Sequence, residues 1–175
     1  MELSKRDKTI KYIAFCFIIA FSALLQNVGG LWFEIGTARC FFIIPVCVIT
    51  GLGEDERTSA LLGFFVGLLW DIVSAQHMGF NCIFLMVVCY VVSAFETFIF
   101  RDTFKFEFVS TVIISFLYVL CYWLFFVLRR GVDGSAISFL TFYFPCFVYT
   151  SAMMPLLYLL INPLKKKLNK ETEVF

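Results

Sequence analysis

Residues 63–79, GFFVGLLWDIVSAQHMG, decide the fold of this chain. The segment has the apolar character of a membrane-spanning helix, yet Asp71 lies in its second half. A carboxylate inside hydrocarbon costs about 2.5–3.5 kcal/mol on insertion scales, so we expect Asp71 to face protein or water. Gly63 and Gly67 lie one turn apart, and this G-x-x-x-G spacing lets the backbone of a second helix come close. The segment therefore combines a packing face with a buried polar group.

The composition of the whole chain extends this interpretation. The 175 residues are 61% hydrophobic and 15% charged, whereas soluble domains are about 45–50% apolar and about 25% charged. These values predict an all-α integral membrane protein that forms a single domain over residues 1–175. The length leaves room for about five or six spans of about 20 residues, and none for a second, soluble domain. The net charge of +1 gives no reason to expect a nucleic-acid partner.

The apolar runs predict a bundle of about six transmembrane helices. The first run is longer than the apolar core of a signal peptide, so we interpret it as an uncleaved span. The second run is short and contains Pro45, so a full crossing and a re-entrant segment both remain open. Pro145 and Pro155 predict kinks in the last run. The predicted spans are residues 9–28, 39–52, 59–75, 80–100, 106–128 and 137–161.

The positions of Lys and Arg predict the orientation. Of the 14 Lys and Arg residues, only Arg39, Arg129 and Arg130 lie on one side of the predicted bundle. The others lie near the N-terminus, in the loops at 53–58 and 101–105, and in the C-terminal tail, residues 163–175. Because cytoplasmic loops are enriched in Lys and Arg, both termini are predicted to be cytoplasmic. We expect the basic tail to be frayed, with its lysines anchoring the last helix at anionic headgroups.

The polar residues within the apolar runs give several hypotheses. Asp71 is open to three interpretations: a proton or cation relay, an ion-pair partner, or a buried hydrogen bond to a neighbouring helix. Glu96 is expected to reach the headgroups by snorkelling. The acidic loop around Glu54 is expected to be solvated or to contact a basic cytoplasmic partner. His77, the single histidine of the chain, is expected to be a turn residue.

The sequence offers no candidate for catalysis, metal binding or cofactor binding. The seven cysteines include no C-x-x-C pair, and most lie within apolar runs, as small hydrophobic residues do. The chain also lacks the nucleophile-elbow, zinc-protease and phosphate-loop patterns. We therefore expect no catalytic residue and no cofactor, although an unassigned membrane enzyme or channel stays as a third alternative.

The order of residues around the first segment resembles a known family. A span with G-x-x-x-G-L-x-x-D, a short turn and then G-x-N resembles the rod shape-determining MreD family, and the layout of spans, loops and charges agrees. The sequence departs from the family at Ala75, where a glycine is frequent, and at residues 38–40, where a proline is usual. The residues that carry the resemblance are Gly63, Gly67, Leu68, Asp71, Gly79 and Asn81. All of them except Leu68 are expected to serve helix packing or partner docking.

This resemblance implies a non-enzymatic scaffold of the cell-elongation machinery in the bacterial plasma membrane. Such a scaffold would regulate rod cell shape and peptidoglycan synthesis with MreC, MreB, RodA and a class B penicillin-binding protein. Its third span would pack the bundle core or receive the single membrane helix of MreC. The family also resembles the substrate-binding subunits of energy-coupling-factor transporters, in which Asp71 would lie at the mouth of a cavity. The alternative function is therefore a vitamin- or small-solute-binding transporter subunit.

Overall fold

A computed structural model describes residues 5–27, 34–35, 38–74, 77–99, 104–131 and 134–170. Most of the predicted loops at 29–38 and 101–105, and the end of the tail at 171–175, lie outside these residues. A π-helical turn at 123–127 and a 3-10 turn at 128–130 follow the helix Phe104–Tyr122, and a second π-helical turn at 139–143 leads into the helix Phe144–Lys170. The elements are α1 (Lys5–Asn27), β1 (Glu34–Ile35), β2 (Ala38–Arg39), α2 (Ile43–Gly51), α3 (Glu56–Ser74), α4 (Phe80–Ile99), α5 (Phe104–Tyr122), α6 (Ser135–Ser138) and α7 (Phe144–Lys170).

The predicted all-α membrane class is confirmed. Four helical stretches are long and apolar enough to cross a membrane, namely Lys8–Asn27, Glu56–Ser74, Phe104–Arg130 and Ser135–Leu168. A shorter apolar stretch, Phe80–Glu96, belongs to α4. Many large apolar side chains on these helices point outward, including Phe17 at 74% exposure. Outward apolar side chains are stable in lipid, so the bundle presents a surface suited to a bilayer.

The segment before α3 is built differently from the other predicted spans. All nine residues of α2 are buried, and at 1.5 Å per residue the helix is about 14 Å long, less than half the hydrocarbon thickness. The chain reaches α2 as a non-helical segment whose amides find side-chain acceptors. The amide of Phe41 donates to Oγ1 of Thr150 at 3.0 Å, and the amide of Ile43 donates to Oε1 of Gln26 at 3.1 Å. Such acceptors are what a buried, non-helical backbone needs inside a membrane protein.

The C-terminal residues correct one prediction. Residues 163–170 continue α7 as a regular helix, so they are not frayed. Lys165 is 3% exposed, and its Nζ lies 3.6 Å from Oε1 of the buried Glu107 on α5. Lys165 therefore does not anchor the helix at headgroups, because a carboxylate within the protein pairs with its charge.

Two acidic residues at the same end of the bundle correct two further predictions. Glu96 does not snorkel: it is 5% exposed, and its Oε2 accepts the backbone amide of Gly53 at 2.8 Å. Glu54 is not simply solvated, because it forms an ion pair with Lys11 of α1 and accepts a hydrogen bond from Tyr12 at 3.2 Å. These contacts tie the start of α1 and the end of α4 to the turn that precedes α3.

Candidate functional site: the α3–α4 clasp and the adjoining cavity

Helix α3 presents a stripe of small and polar residues at every fourth position. Ser59, Gly63, Gly67 and Asp71 are all buried, and positions four apart lie on nearly the same helix face. A Cβ atom added to Gly63 would lie 2.5 Å from a backbone carbonyl oxygen of α4. A Cβ atom added to Gly67 would lie 2.5 Å from Cα of Cys82. Glycine is therefore required for the two backbones to touch, and we call this contact the α3–α4 clasp.

Side chains next to the glycines bond across the clasp. Oγ of Ser59 donates to the carbonyl of Cys89 at 3.3 Å, and Sγ of Cys82 donates to the carbonyl of Phe64 at 3.3 Å. Each bond joins a small side chain of one helix to the backbone of the other. The glycine face that we considered for partner docking is thus occupied by α4 of the same chain.

Asp71 caps the N-terminus of α4 from the neighbouring helix. Its side chain is 1% exposed. Its Oδ2 accepts the amides of Gly79 at 2.9 Å and Cys82 at 3.1 Å, and its Oδ1 accepts the amide of Asn81 at 3.3 Å. The first amides of a helix have no partner within the helix, and a negative charge there is favoured by the helix dipole. Of the three interpretations of Asp71, this geometry is that of a buried hydrogen bond to a neighbouring helix.

Both ends of the α3–α4 pair use the same arrangement of a glycine and a buried carboxylate. Gly79, directly before α4, has φ +95° and donates its amide to Asp71. Gly53, in the turn before α3, has φ +84° and donates its amide to Glu96. This left-handed conformation costs other residues roughly 1–2 kcal/mol. Each glycine thus lets the chain turn sharply while its amide meets the carboxylate of a helix.

Asn81 links the clasp to a third helix. Tyr118 of α5 donates its hydroxyl hydrogen to Oδ1 of Asn81 at 2.9 Å, and both residues are 4% exposed. The indole of Trp70 stacks on the Tyr118 ring with centroids 4.8 Å apart. Because Asn81 also donates its amide to Asp71, one network joins α3, α4 and α5 at this end of the bundle.

A cavity of about 460 Å³ opens beside this network. Residues of α1, β2, α3, α4 and α5 and of the π-helical turn before α7 line it. His77 lies in the turn between α3 and α4, where its ring stacks on Phe126 with centroids 3.7 Å apart. The lining combines polar and aromatic side chains, and it includes Gln26, Arg39, Trp70, His77, Asn81 and Tyr118.

A comparison of the sequence with family models assigns the chain to a family. Over residues 6–168, the sequence matches the family described as rod shape-determining protein MreD. The chain belongs to the MreD family. The matched region of this MreD-family chain includes the whole clasp, the Asp71 cap and the cavity lining. Comparison with curated proteins and with solved structures found no match, so no solved structure supports the likeness to energy-coupling-factor subunits.

The cysteines of this MreD-family chain are all free thiols. Sγ of Cys47 and Sγ of Cys89 lie 3.1 Å apart in the bundle core. Within the part of the chain that the structure describes, no group of three or more His, Cys, Asp or Glu side chains is arranged to hold a metal ion.

Sequence reasoning found the α3–α4 residues but missed the supports around them. Gln26 and Thr150, which accept the amides of the segment before α2, were not singled out. Gly53 was not singled out either, although its amide binds Glu96. The available signal was weak: a polar side chain within an apolar run, or a glycine directly after one.

Proposed function

We propose that this chain is a non-enzymatic scaffold of the cell-elongation machinery in the bacterial plasma membrane. In this role it regulates rod cell shape and peptidoglycan synthesis together with an MreC-like protein, MreB, RodA and a class B penicillin-binding protein. The observation that carries the proposal is the family match over residues 6–168. Membership of a rod shape-determining family supports the process, and the partners are part of the proposal.

The geometry of the clasp supports a scaffold role. The α3 and α4 backbones touch along the glycine stripe, and a buried carboxylate holds the turn at each end. A helix pair joined in this way moves as one body, because a close-packed interior resists gradual deformation. A rigid body in the membrane is suited to holding partner helices at fixed positions.

The charges support an orientation with both termini in the cytoplasm. Lys11 near the N-terminus pairs with Glu54, so α1 begins at the same end of the bundle as the loop before α3. Lys165 near the C-terminus pairs with Glu107 in the first turn of α5. Under the positive-inside rule, this lysine-rich end is the cytoplasmic one.

A partner helix needs a face other than the glycine stripe, which α4 covers. Each of the longer helices offers an outward apolar face, so the docking helix is found by placing one photo-crosslinking amino acid per helix. Suitable positions are more than half exposed: Phe17, Phe65, Ile83, Ile113 and Leu159. Val66, which is 2% exposed, provides a matched buried control beside Phe65.

The test is performed on the full chain co-expressed with an MreC-like protein in a rod-shaped bacterium depleted of its own MreD-family protein. The proposal expects crosslinks from one or two neighbouring helices, none from Val66, and restored rod shape with the unmodified chain. An alanine substitution at the crosslinked position is then expected to weaken both crosslinking and shape rescue. A chain that folds but neither crosslinks at any of the five outward positions nor restores rods would contradict the scaffold role.

The cavity favours a second candidate function, a vitamin- or small-solute-binding subunit like those of energy-coupling-factor transporters. Its volume of about 460 Å³ lies within the range of small-molecule sites, about 300–1,000 Å³. Saturable uptake of a vitamin by cells that express the chain with a coupling module would support this candidate. No uptake across a vitamin panel, with correct membrane insertion, would count against it.

A further inference from the structure

The polar wall of the cavity is rich in hydrogen-bond donors. Asn81 is 4% exposed and lines the cavity. Because its Oδ1 accepts a hydrogen bond from the Tyr118 hydroxyl, its Nδ2 group is the part of the side chain that can donate to a ligand. Nδ2 has no hydrogen-bond partner among the residues that the structure describes. Nε2 of Gln26 also has no hydrogen-bond partner among the described residues, whereas its Oε1 accepts the amide of Ile43. A ligand that accepts hydrogen bonds would therefore meet amide donors at this part of the cavity.

Arg39 adds a cation to the same wall. It lines the cavity and lies opposite Glu34 in the β1–β2 ladder. A guanidinium carries five N–H donors in a planar fork, more than a single carboxylate accepts. The Arg39 side chain is exposed and lines the cavity, so its guanidinium can meet an oxygen-rich group there. Planar forks of this kind suit carboxylate and phosphate groups.

Aromatic side chains also line the cavity. Trp70 and Tyr118 stack with an interplanar angle of 27°, and Phe41 packs against both rings at centroid distances of 5.7 and 5.4 Å. A flat apolar group gains area burial and ring contacts against such a surface. A cavity with a few convergent polar groups and an otherwise apolar wall is the usual form of a small-molecule site.

We propose that this cavity binds a molecule with a carboxylate or phosphate head and a flat or unsaturated apolar portion. The head accepts hydrogen bonds from Arg39, Asn81 and Gln26, and the apolar portion packs against the half-buried rings of Tyr122 and Tyr143, which also line the cavity. Two sources share this chemistry: a water-soluble aromatic anion and an anionic lipid whose head enters the cavity. The site goes beyond the scaffold role and does not depend on it, because binding is measured on the isolated chain.

The first experiment is calorimetric titration of phenyl phosphate into the purified chain in neutral detergent. Phenol is the matched uncharged probe. Arg39→Gln removes the cation, and Arg129→Gln is its control, because Arg129 is also exposed at the predicted outer end but does not line the cavity. The proposal expects saturable phenyl phosphate binding that Arg39→Gln weakens about tenfold or more. Arg129→Gln is expected to change it less than twofold.

A second pair of variants tests whether filling the cavity with a larger side chain blocks binding. Val73 lines the cavity and Ile72 does not, although both are exposed positions of α3. Val73→Trp is expected to fill the cavity and abolish binding, whereas Ile72→Trp is expected to bind like the wild type. Monodisperse elution of both variants shows that the fold is retained.

A separate measurement tests whether an anionic lipid occupies the cavity. The chain is reconstituted in nanodiscs of phosphatidylglycerol or of phosphatidylcholine, then examined by native mass spectrometry. One retained phosphatidylglycerol, lost in Arg39→Gln and Val73→Trp but not in their controls, supports the site and identifies a lipid occupant. The proposal would be overturned if neither phenyl phosphate nor phosphatidylglycerol bound to the chain. It would also be overturned if Arg39→Gln bound them as tightly as the wild type.

Discussion

Replacing Asp71 by alanine tests how much the buried cap stabilises this protein. The substitution removes the acceptor of three backbone amides at the start of α4, with distances of 2.9, 3.1 and 3.3 Å. The carboxylate is 1% exposed, so these amides are not expected to regain full hydration. Helix α4 would then begin with unpaired donors beside the clasp.

The magnitude follows from the number and quality of these bonds. A hydrogen bond to a charged group contributes about 1.5–3 kcal/mol. Neighbouring losses are not additive, so we take the two shorter bonds alone and expect a loss of about 3–6 kcal/mol in the free energy of unfolding. Both shorter bonds end on Oδ2 of Asp71. Asp71→Asn can place its one carbonyl oxygen there and keep weaker, neutral bonds. Its NH2 group would then face the Asn81 amide, so we expect only a smaller loss than for Asp71→Ala.

The assay is reversible unfolding of the purified chain in mixed micelles with increasing dodecyl sulfate, followed by circular dichroism. Asp55→Ala is the control, because Asp55 is an exposed acid directly before α3, and we expect it to cost about 0.5–2 kcal/mol. Two results would refute the reasoning. One is a loss for Asp71→Ala no larger than that of the control, and the other is equal losses for Asp71→Ala and Asp71→Asn.

Three further substitutions test neighbouring features in the same assay. Gly67→Ala is expected to destabilise the chain by about 1–3 kcal/mol, because its Cβ would overlap the α4 backbone. Leu69→Ala, at an outward position of the same helix, should have little effect. Equal losses in the two variants would contradict a tight clasp. Thr150→Val is expected to cost about 1–3 kcal/mol by leaving the part-buried Phe41 amide before α2 without its acceptor. An unchanged midpoint, or an equal loss in Ser151→Ala, would argue against that role. Gly79→Ala is expected to cost about 1–2 kcal/mol through its positive φ alone, since no atom lies within 4 Å of the added Cβ. An unchanged free energy of unfolding would contradict a requirement for the left-handed conformation at this position.

Much of the fold was predictable from local properties of the sequence. The apolar run predicted at 80–100 overlaps α4 at Phe80–Ile99, and the run at 59–75 overlaps α3 at Glu56–Ser74. Hydropathy works here because hydrogen bonding in lipid requires each crossing segment to satisfy its own backbone. It works poorly for residues 39–52, where side chains of α1 and α7 support the backbone and the helix is only Ile43–Gly51.

The sequence by itself determined that this is an all-α membrane protein of the MreD type, because composition and the glycine–aspartate spacing are local features. Only the tertiary structure decided what the polar residues do. It showed that the glycine stripe packs against α4 and that Asp71 accepts hydrogen bonds from the α4 amides. It also paired Lys165 with Glu107, 58 positions away in the chain. It also formed the cavity from several separate elements. A buried polar group is stable only with a partner, and no local pattern specifies a partner that comes from a distant helix.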